Sequence, residues 1–423
     1  MVDQAKPEEP KPNETKPEKP KPDGPKPKEE TKVAVACQGG GIHASFSVGV
    51  LTEILKAYKE KKFELVGLSG TSAGALCTLM VWYGLAPKNG RRGSVDDAIN
   101  GLTRFWTRFA ATTRAEKMIN LLAYSAFRAQ EYEVPVFGLN APVFSLNPGG
   151  LISKAVFAWL PLFRVRKQYY DLKELLAKAC PEFDGIKWED LRTRLLVGAS
   201  EVVNGIETTF DSDCNMPTQA GKHTKETLTD TLRWRERRKL SLSGVAASGT
   251  WAQFLEAKEI NDHYYWDGLY SQNPPIREFL AGVLPQYVPD EIWVVRINPQ
   301  QWAELPQSNA EIIDRENELM GNLSLNKELD FILTVNDWIA KYGDCFARDY
   351  KRVTVRTIKM KEQTAEALRY SSKFDRDWDF MEHLRREGET VARDWLSGWS
   401  QDVVGSFPAY PEDAGYWPRP RVY

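Results

Sequence analysis

The sequence predicts an α/β fold, a mostly parallel central sheet sandwiched by helices, with a helical cap insertion and a helical C-terminal extension. Three observations carry this. The runs "KVAVACQ", "FELVGLSG" and "EIWVVRINP" are continuously apolar at their centres, as strands buried on both faces are. The first ends in three glycines and the second in a tight glycine-bearing turn. Each of these two is followed by a segment of helical spacing, and strand, loop, helix, strand, turn, helix is how a parallel sheet begins.

Composition narrows the class. The chain has 423 residues, enough for one large α/β domain with extensions or for two domains. Its hydrophobic fraction of 42% is ordinary for a globular protein. A net charge of −2 does not advertise nucleic acid as the partner. Five cysteines without C-x-x-C spacing argue against a disulfide framework and a zinc site, and point to a reducing compartment. No run of eighteen apolar residues is present, so no transmembrane helix is expected. No apolar segment of secretory type opens the sequence, so the expected location is the cytoplasm, with peripheral membrane attachment left open. Fourteen tryptophans fit a bulky core or a surface that meets lipid or sugar.

The elements follow in order. Residues 1–32 are Lys, Pro and Glu with almost nothing apolar, which predicts a disordered tail of polyproline character. A strand is expected over Lys32–Gln38. A helix follows over His43–Glu60, with Phe46, Val50, Ile54 and Leu55 on one face. The second strand covers Phe63–Gly70 and the second helix Ala73–Leu85. Residues about 88–190 read as a helical, aromatic-rich insertion. "RLLVGASEVV" and "IETTFDSD" are strands joined by Asn204-Gly205, a strong hairpin signal. A polar, basic loop is expected up to about Lys239, then a small apolar helix or turn in "LSLSGVAASGTWAQF". Glu291–Pro299 is a strand. Beyond it come a helix, a strand in "YKRVTVRTIKM" and a charged helix from about Ser372 to Trp399. The expected division is a tail over 1–32, a catalytic domain over 33–300 and a mainly helical extension over 301–423 packed on the core.

Two motifs carry the chemistry. In "QGGGIHA", Gly39-x-Gly41-x-x-Ala44 satisfies a loose dinucleotide-binding fingerprint. The same glycines let backbone amides crowd toward one point, as an oxyanion hole requires, and a tight turn without ligand is the plain alternative. The second motif, Gly70-Thr71-Ser72-Ala73-Gly74, has the form of a nucleophile elbow. A strand turns sharply at Ser72 into a helix, and Gly70 and Gly74 are small because strand and helix nearly touch there. Both motifs would lie at the carboxyl end of a parallel sheet, where α/β folds place ligands.

A serine nucleophile needs a base. The histidines are His43, His223, His263 and His383, each more simply read as a surface or capping residue. Asp267, in "YYWDGLYSQNPP", follows three aromatics, and an apolar setting raises a carboxylate's basicity. An Asp267-Gly268 turn that only shapes a loop is the even alternative.

Together these residues resemble the patatin-like phospholipase family, whose pattern is a glycine-rich loop, a G-x-S-x-G elbow and a later D-G-G/A. The matching residues are Gly39-Gly40-Gly41-Ile42-His43-Ala44, Gly70-Thr71-Ser72-Ala73-Gly74 and Asp267-Gly268-Leu269, and the similarity covers roughly residues 33–300. The resemblance implies hydrolysis of acyl-lipid esters, phospholipid among them, by a Ser72–Asp267 dyad, with the Gly39, Gly40 and Gly41 amides as oxyanion hole and with no metal or cofactor. The chain departs from the family pattern at His43, where Arg or Lys is usual, at Ala44 in place of glycine, and at Leu269 in place of a small residue. Leu269 is expected to narrow the site. A histidine at 43 supplies charge only when protonated, which predicts activity falling as pH passes about 6.5. The rivals are an esterase with His383 as base in the order Ser…Asp…His, and a degraded member that binds lipid or a partner without turnover. For contact with a membrane surface, Ser153–Tyr170 and the basic cluster Arg233–Lys239 are the candidate segments, with a cap helix and a solvated loop as their alternatives.

Overall fold

The computed structural model describes residues 30–129, 131, 134–135, 145–146, 171–187, 191–213, 235–252, 255–302, 304–343, 346 and 348–399. The tail over 1–29 and the segment Ser153–Tyr170 lie outside the described residues. Strand β1 (Lys32–Cys37) leads through a 3-10 turn, Gly41–Ala44, into α1 (Ser45–Lys59). Then come β2 (Glu64–Thr71), α2 (Ala73–Leu85), α3 (Val95–Phe109) and α4 (Arg114–Ala129). A two-residue pair, β3 (Val134–Pro135) and β4 (Ser145–Leu146), precedes α5 (Leu172–Ala179). The hairpin of β5 (Arg194–Glu201) and β6 (Ile206–Asp211) turns at Asn204-Gly205, where Gly205 has φ +67°. β7 (Arg235–Lys239), α6 (Leu242–Ser248), β8 (Lys258–Ile260), β9 (His263–Asp267) and β10 (Glu291–Arg296) follow. The chain continues through α7 (Asn309–Tyr342), β11 (Thr354–Lys359), α8 (Glu362–Ala367) and α9 (Trp378–Gly398).

One sheet organises these elements, in the order β11-β10-β1-β2-β5-β6-β7, with β9 paired to β5 and β8 to β9. The pairs β11–β10, β10–β1, β1–β2, β2–β5 and β6–β7 are parallel, while β5–β6, β5–β9 and β8–β9 are antiparallel. The alternation of β1 across the sheet is visible in its side chains. Val33, Val35 and Cys37 join the core under α1, α2 and α3, whereas Ala34 and Ala36 join the opposite core with Ile276, Phe279, Leu325 and Ile332. Both faces are therefore covered, and the strands are continuously apolar for that reason.

Residues beyond 300 are part of this architecture. β11 is a sheet strand, and α7 fills the second core. α9 crosses α1 where Gly49 and Gly388 leave no room for a side chain against the opposing backbone. Its end is fixed by Trp395 and Trp399, whose ring centroids lie 4.9 Å and 5.2 Å from that of Trp293 on β10. That cluster accounts for part of the tryptophan content.

The basic run up to Lys239 departs from the loop expected there. Arg235–Lys239 is a strand, parallel to β6. Its charge does not keep it in water because carboxylates meet it. Arg235 pairs with Glu207 (2.6 Å), Glu278 (3.1 Å) and Glu328 (2.7 Å), Arg237 with Asp211 (3.5 Å) and Arg238 with Glu236 (2.7 Å). These arginines bind the protein to itself. Arg235→Ala should lower stability by about 3 kcal/mol at pH 8, since it removes the guanidinium that buried Glu278 and Glu328 share. Burial, with Glu328 beside it, already holds Glu278 up to about 7, and Arg235 pulls it down. Protonation should therefore relieve the defect at pH 5, so denaturant melts at the two pH values should differ more in the variant than in wild type.

Candidate active site

The site is set by how β5 shares one of its edges. Its first half, Arg194–Gly198, pairs with Gly67–Thr71 of β2. Its second half, Ala199–Glu201, pairs with Asp267–Tyr265 of β9. β6 occupies the other edge. The end of β2 and the end of β9 therefore abut at Gly198–Ala199, and the residues that leave them, Ser72 and Gly268, emerge side by side. Neither Gly198 nor Gly268 has space for a side chain. A methyl on Gly268 would strike the Gly198 carbonyl, and one on Gly198 would lie 2.8 Å from Thr71 Oγ1.

Ser72 sits at the turn between β2 and α2 with φ 55° and ψ −129°, a region that side chains other than glycine rarely enter. Surrounding contacts hold it there. Its carbonyl accepts from the Ala75 amide (2.9 Å) and the Leu76 amide (3.2 Å), and its amide donates to Ser248 Oγ (2.9 Å). Ser248, at the end of α6, donates in turn to the Gly198 carbonyl (2.6 Å). Gly70 and Gly74 permit the sharp return, since a methyl on Gly70 would stand 2.5 Å from the Gly74 carbonyl oxygen and one on Gly74 would meet the Cys37 and Gln38 carbonyls.

Asp267 is buried, 3% exposed, at the end of β9. Its amide donates to the Thr250 carbonyl (2.9 Å), and its Oδ1 accepts from the Leu269 amide (2.9 Å). The Ser72 side chain lies beside the carboxylate and favours its charged form. Burial pushes the carboxyl from its ordinary 3.8 up to about 7, and Ser72 and the Leu269 hydrogen bond pull against that rise. A hydroxyl beside a buried carboxylate that titrates near neutrality is an arrangement in which the proton can transfer without a histidine.

The glycine loop lies against the serine. A methyl on Gly39 would stand 2.7 Å from both Ser72 Cβ and the Thr71 carbonyl. The Gly39 amide donates to Asn273 Oδ1 (2.6 Å), so it is taken up by a side chain. Among the described residues, no acceptor holds the Gly40 or Gly41 amide. Gln38 anchors the loop from below: its Oε1 accepts from the Ile297 (3.1 Å) and Asn298 (3.3 Å) amides, and its Nε2 donates to Asn322 Oδ1 of α7 (3.1 Å).

The remaining residues singled out in the sequence distribute differently. His43 is buried, with Nε2 2.8 Å from Ser372 Oγ. Burial and the nearby Lys373 hold it well below 6.5, so it is neutral at physiological pH and gives no charge switch near 6.5. His263 faces Glu201 (3.9 Å) on the outer strands, and His383 is exposed on α9. His223 lies outside the described residues. Leu269 is buried against α7 at Gly321, whose missing side chain makes the space. Ser248, Asn273 and Asn298 were not legible as site residues, although "GVAASG" and "SQNPP" flank the motifs.

The Asp267 carboxyl should titrate with a midpoint near 7 in carboxyl-carbon NMR. In Ser72→Ala, where the hydroxyl donor is gone, the midpoint should move upward. A midpoint near 4 would contradict the buried geometry.

A sequence model described as "Patatin-like phospholipase" matches residues 35–280, more than half of the chain and spanning all three motifs. No curated protein matches the chain. Among solved structures, VipD from Legionella pneumophila is similar, at 12% identity over 85% of this chain and 67% of that one, with a TM-score of 0.32. By the family match, the chain belongs to the patatin-like phospholipases, a family of lipid acyl hydrolases.

Proposed function

We propose that the protein is a serine acyl hydrolase of phospholipase A or lysophospholipase type, cleaving carboxylic esters of glycerolipids through an acyl-enzyme. The observation that carries this reading is Ser72, at a strained turn, set beside buried Asp267, whose carboxyl burial lifts to about 7. Asp267 takes the Ser72 proton as Oγ attacks the ester carbonyl. The Gly40 and Gly41 amides, with the start of α1 behind them, receive the oxyanion. Gly39 contributes by fixing the loop through Asn273 rather than by its own amide. Protonated Asp267 then gives its proton to the leaving alcohol or lysolipid. Water, deprotonated by the same carboxylate, attacks the acyl-serine, and Asp267 returns that proton to the departing Ser72 Oγ as the fatty acid is released. A base titrating near 7 suits both directions of transfer.

The substrate is reached at a lipid surface to which the protein binds peripherally. No described helix is long and apolar enough to cross a membrane. On α4, Met118, Leu121 and Leu122 share one face and are 65%, 61% and 52% exposed. Arg114 and Lys117 are exposed on the same helix, which suits an interfacial helix meeting anionic lipid. The arginines of β7 are not part of this contact, being paired internally.

Fatty-acid release from mixed phospholipid vesicles tests the reading. Ser72→Ala and Asp267→Asn, shown to be folded, should each lose at least about 10³-fold, while His383→Ala should match wild type. Leu121→Asp/Leu122→Asp should reduce vesicle binding and release but leave hydrolysis of a soluble short-chain ester intact. Loss in His383→Ala would favour a histidine-based triad. Lipid binding without turnover in wild type would mark a degraded member.

A further inference from the structure

An oxyanion site gains from positive charge behind its donors, and neutral His43 supplies none. A buried cation reaches the glycine loop from much later in the chain. Lys373 lies in the 3-10 turn Tyr370–Phe374, only 6% exposed. Its carbonyl oxygen and Cβ rest on Gly41, where φ is +58°. A methyl at Gly41 would collide with that carbonyl and stand 3.0 Å from Lys373 Cβ. Lys373 Nζ donates to Asn317 Oδ1 of α7 and lies 3.5 Å from Asn298 Oδ1, just past β10. That same Asn298 oxygen stands 3.8 Å from where a methyl on Gly40 would be, and the Asn298 amide donates to Gln38, the residue before the loop. Lys373 thus touches Gly41 with its backbone and approaches Gly40 through Asn298 with its charge.

The charge is not explained by packing. Burying an ammonium is costly, and an apolar side chain of like volume would hold the turn as well or better. Burial lowers the Lys373 pKa, and Glu318 and Asp314 of α7 raise it. Lys373 in turn pulls both carboxylates down, and each has further partners. Glu318 accepts from Arg315 (3.1 Å) and Trp302 (2.6 Å), and Asp314 accepts from the Tyr370 amide and faces Arg369 at 3.6 Å.

Resting on the serine-hydrolase reading above, we infer that Lys373 is a positioning residue for the oxyanion loop. It fixes Gly41 in its left-handed conformation and sets a positive charge behind the Gly40 and Gly41 amides, where the tetrahedral intermediate becomes negative.

The test measures phosphonylation of Ser72 by a fluorophosphonate, mapped by mass spectrometry, and kcat and KM for p-nitrophenyl butyrate, in wild type, Lys373→Met and Lys373→Arg. The methionine variant should keep KM within about threefold while kcat and the labelling rate fall about 30- to 100-fold. Arginine should recover at least about tenfold of the loss, because it restores the charge. Should Lys373→Met not fold, Lys373→Gln makes the same comparison with a neutral polar side chain. A folded, uncharged variant that labels as fast as wild type overturns the inference and leaves the serine reading standing. So does a loss that arginine does not recover, which would make the contact one of shape alone. If wild type itself does not label at Ser72, the serine reading fails and takes this inference with it.

Discussion

The site depends on one handover along β5. At Gly198 the parallel partner β2 ends, and at Ala199 the antiparallel partner β9 begins on the same edge. A shift of a single residue in either pairing would turn every side chain of that strand to the other face and carry Ser72 or Asp267 away from its partner. The register is enforced by the absence of side chains at Gly198 and Gly268, and by Ser248, which ties the Ser72 amide to the Gly198 carbonyl. The handover also has a cost. Lifting Asp267 from 3.8 to about 7 corresponds to about 4 kcal/mol of lost preference for the charged form. The strained Ser72 backbone adds about 1–3 kcal/mol. The two apolar cores on either face of the sheet hold the elements that bear these costs.

A second dependence runs through the C-terminal residues. The glycine loop is not held by its own neighbours in sequence. Gln38 is clamped by Ile297, Asn298 and Asn322, Gly41 lies under Lys373, and Leu269 packs at Gly321. α9 closes on α1 at Gly49 and Gly388. Ser72 and Asp267, the proposed dyad, come from residues before 270, but the floor of the glycine loop comes largely from residues after 290.

This division explains what could be read from the sequence. The parallel strands were legible because burial on both faces leaves an unbroken apolar run, and the hairpin because Asn204-Gly205 is local turn chemistry. The elbow was legible because its constraint, small residues two positions either side of Ser72, is local too. β7 was missed because "RERRK" looks solvated until Glu207, Glu278, Glu328 and Asp211 are brought to it from elsewhere in the chain. The charge state of His43 was misjudged because its burial and its neighbours Ser372 and Lys373 come from more than 300 residues away. Ser248 carries no role of its own in the sequence, since a hydroxyl becomes specific only through the group it faces.

The central claim is that the carboxylate of Asp267 is the base for Ser72. The most direct measurement is the rate of the acylation burst with p-nitrophenyl butyrate between pH 5 and 9, for wild type and His383→Ala. The ionised carboxylate takes the proton, so the rate should rise with pH through a single midpoint near 7 and level off above it, identically in both proteins. A rate that is flat across this range, or a midpoint that disappears with His383, would contradict the account.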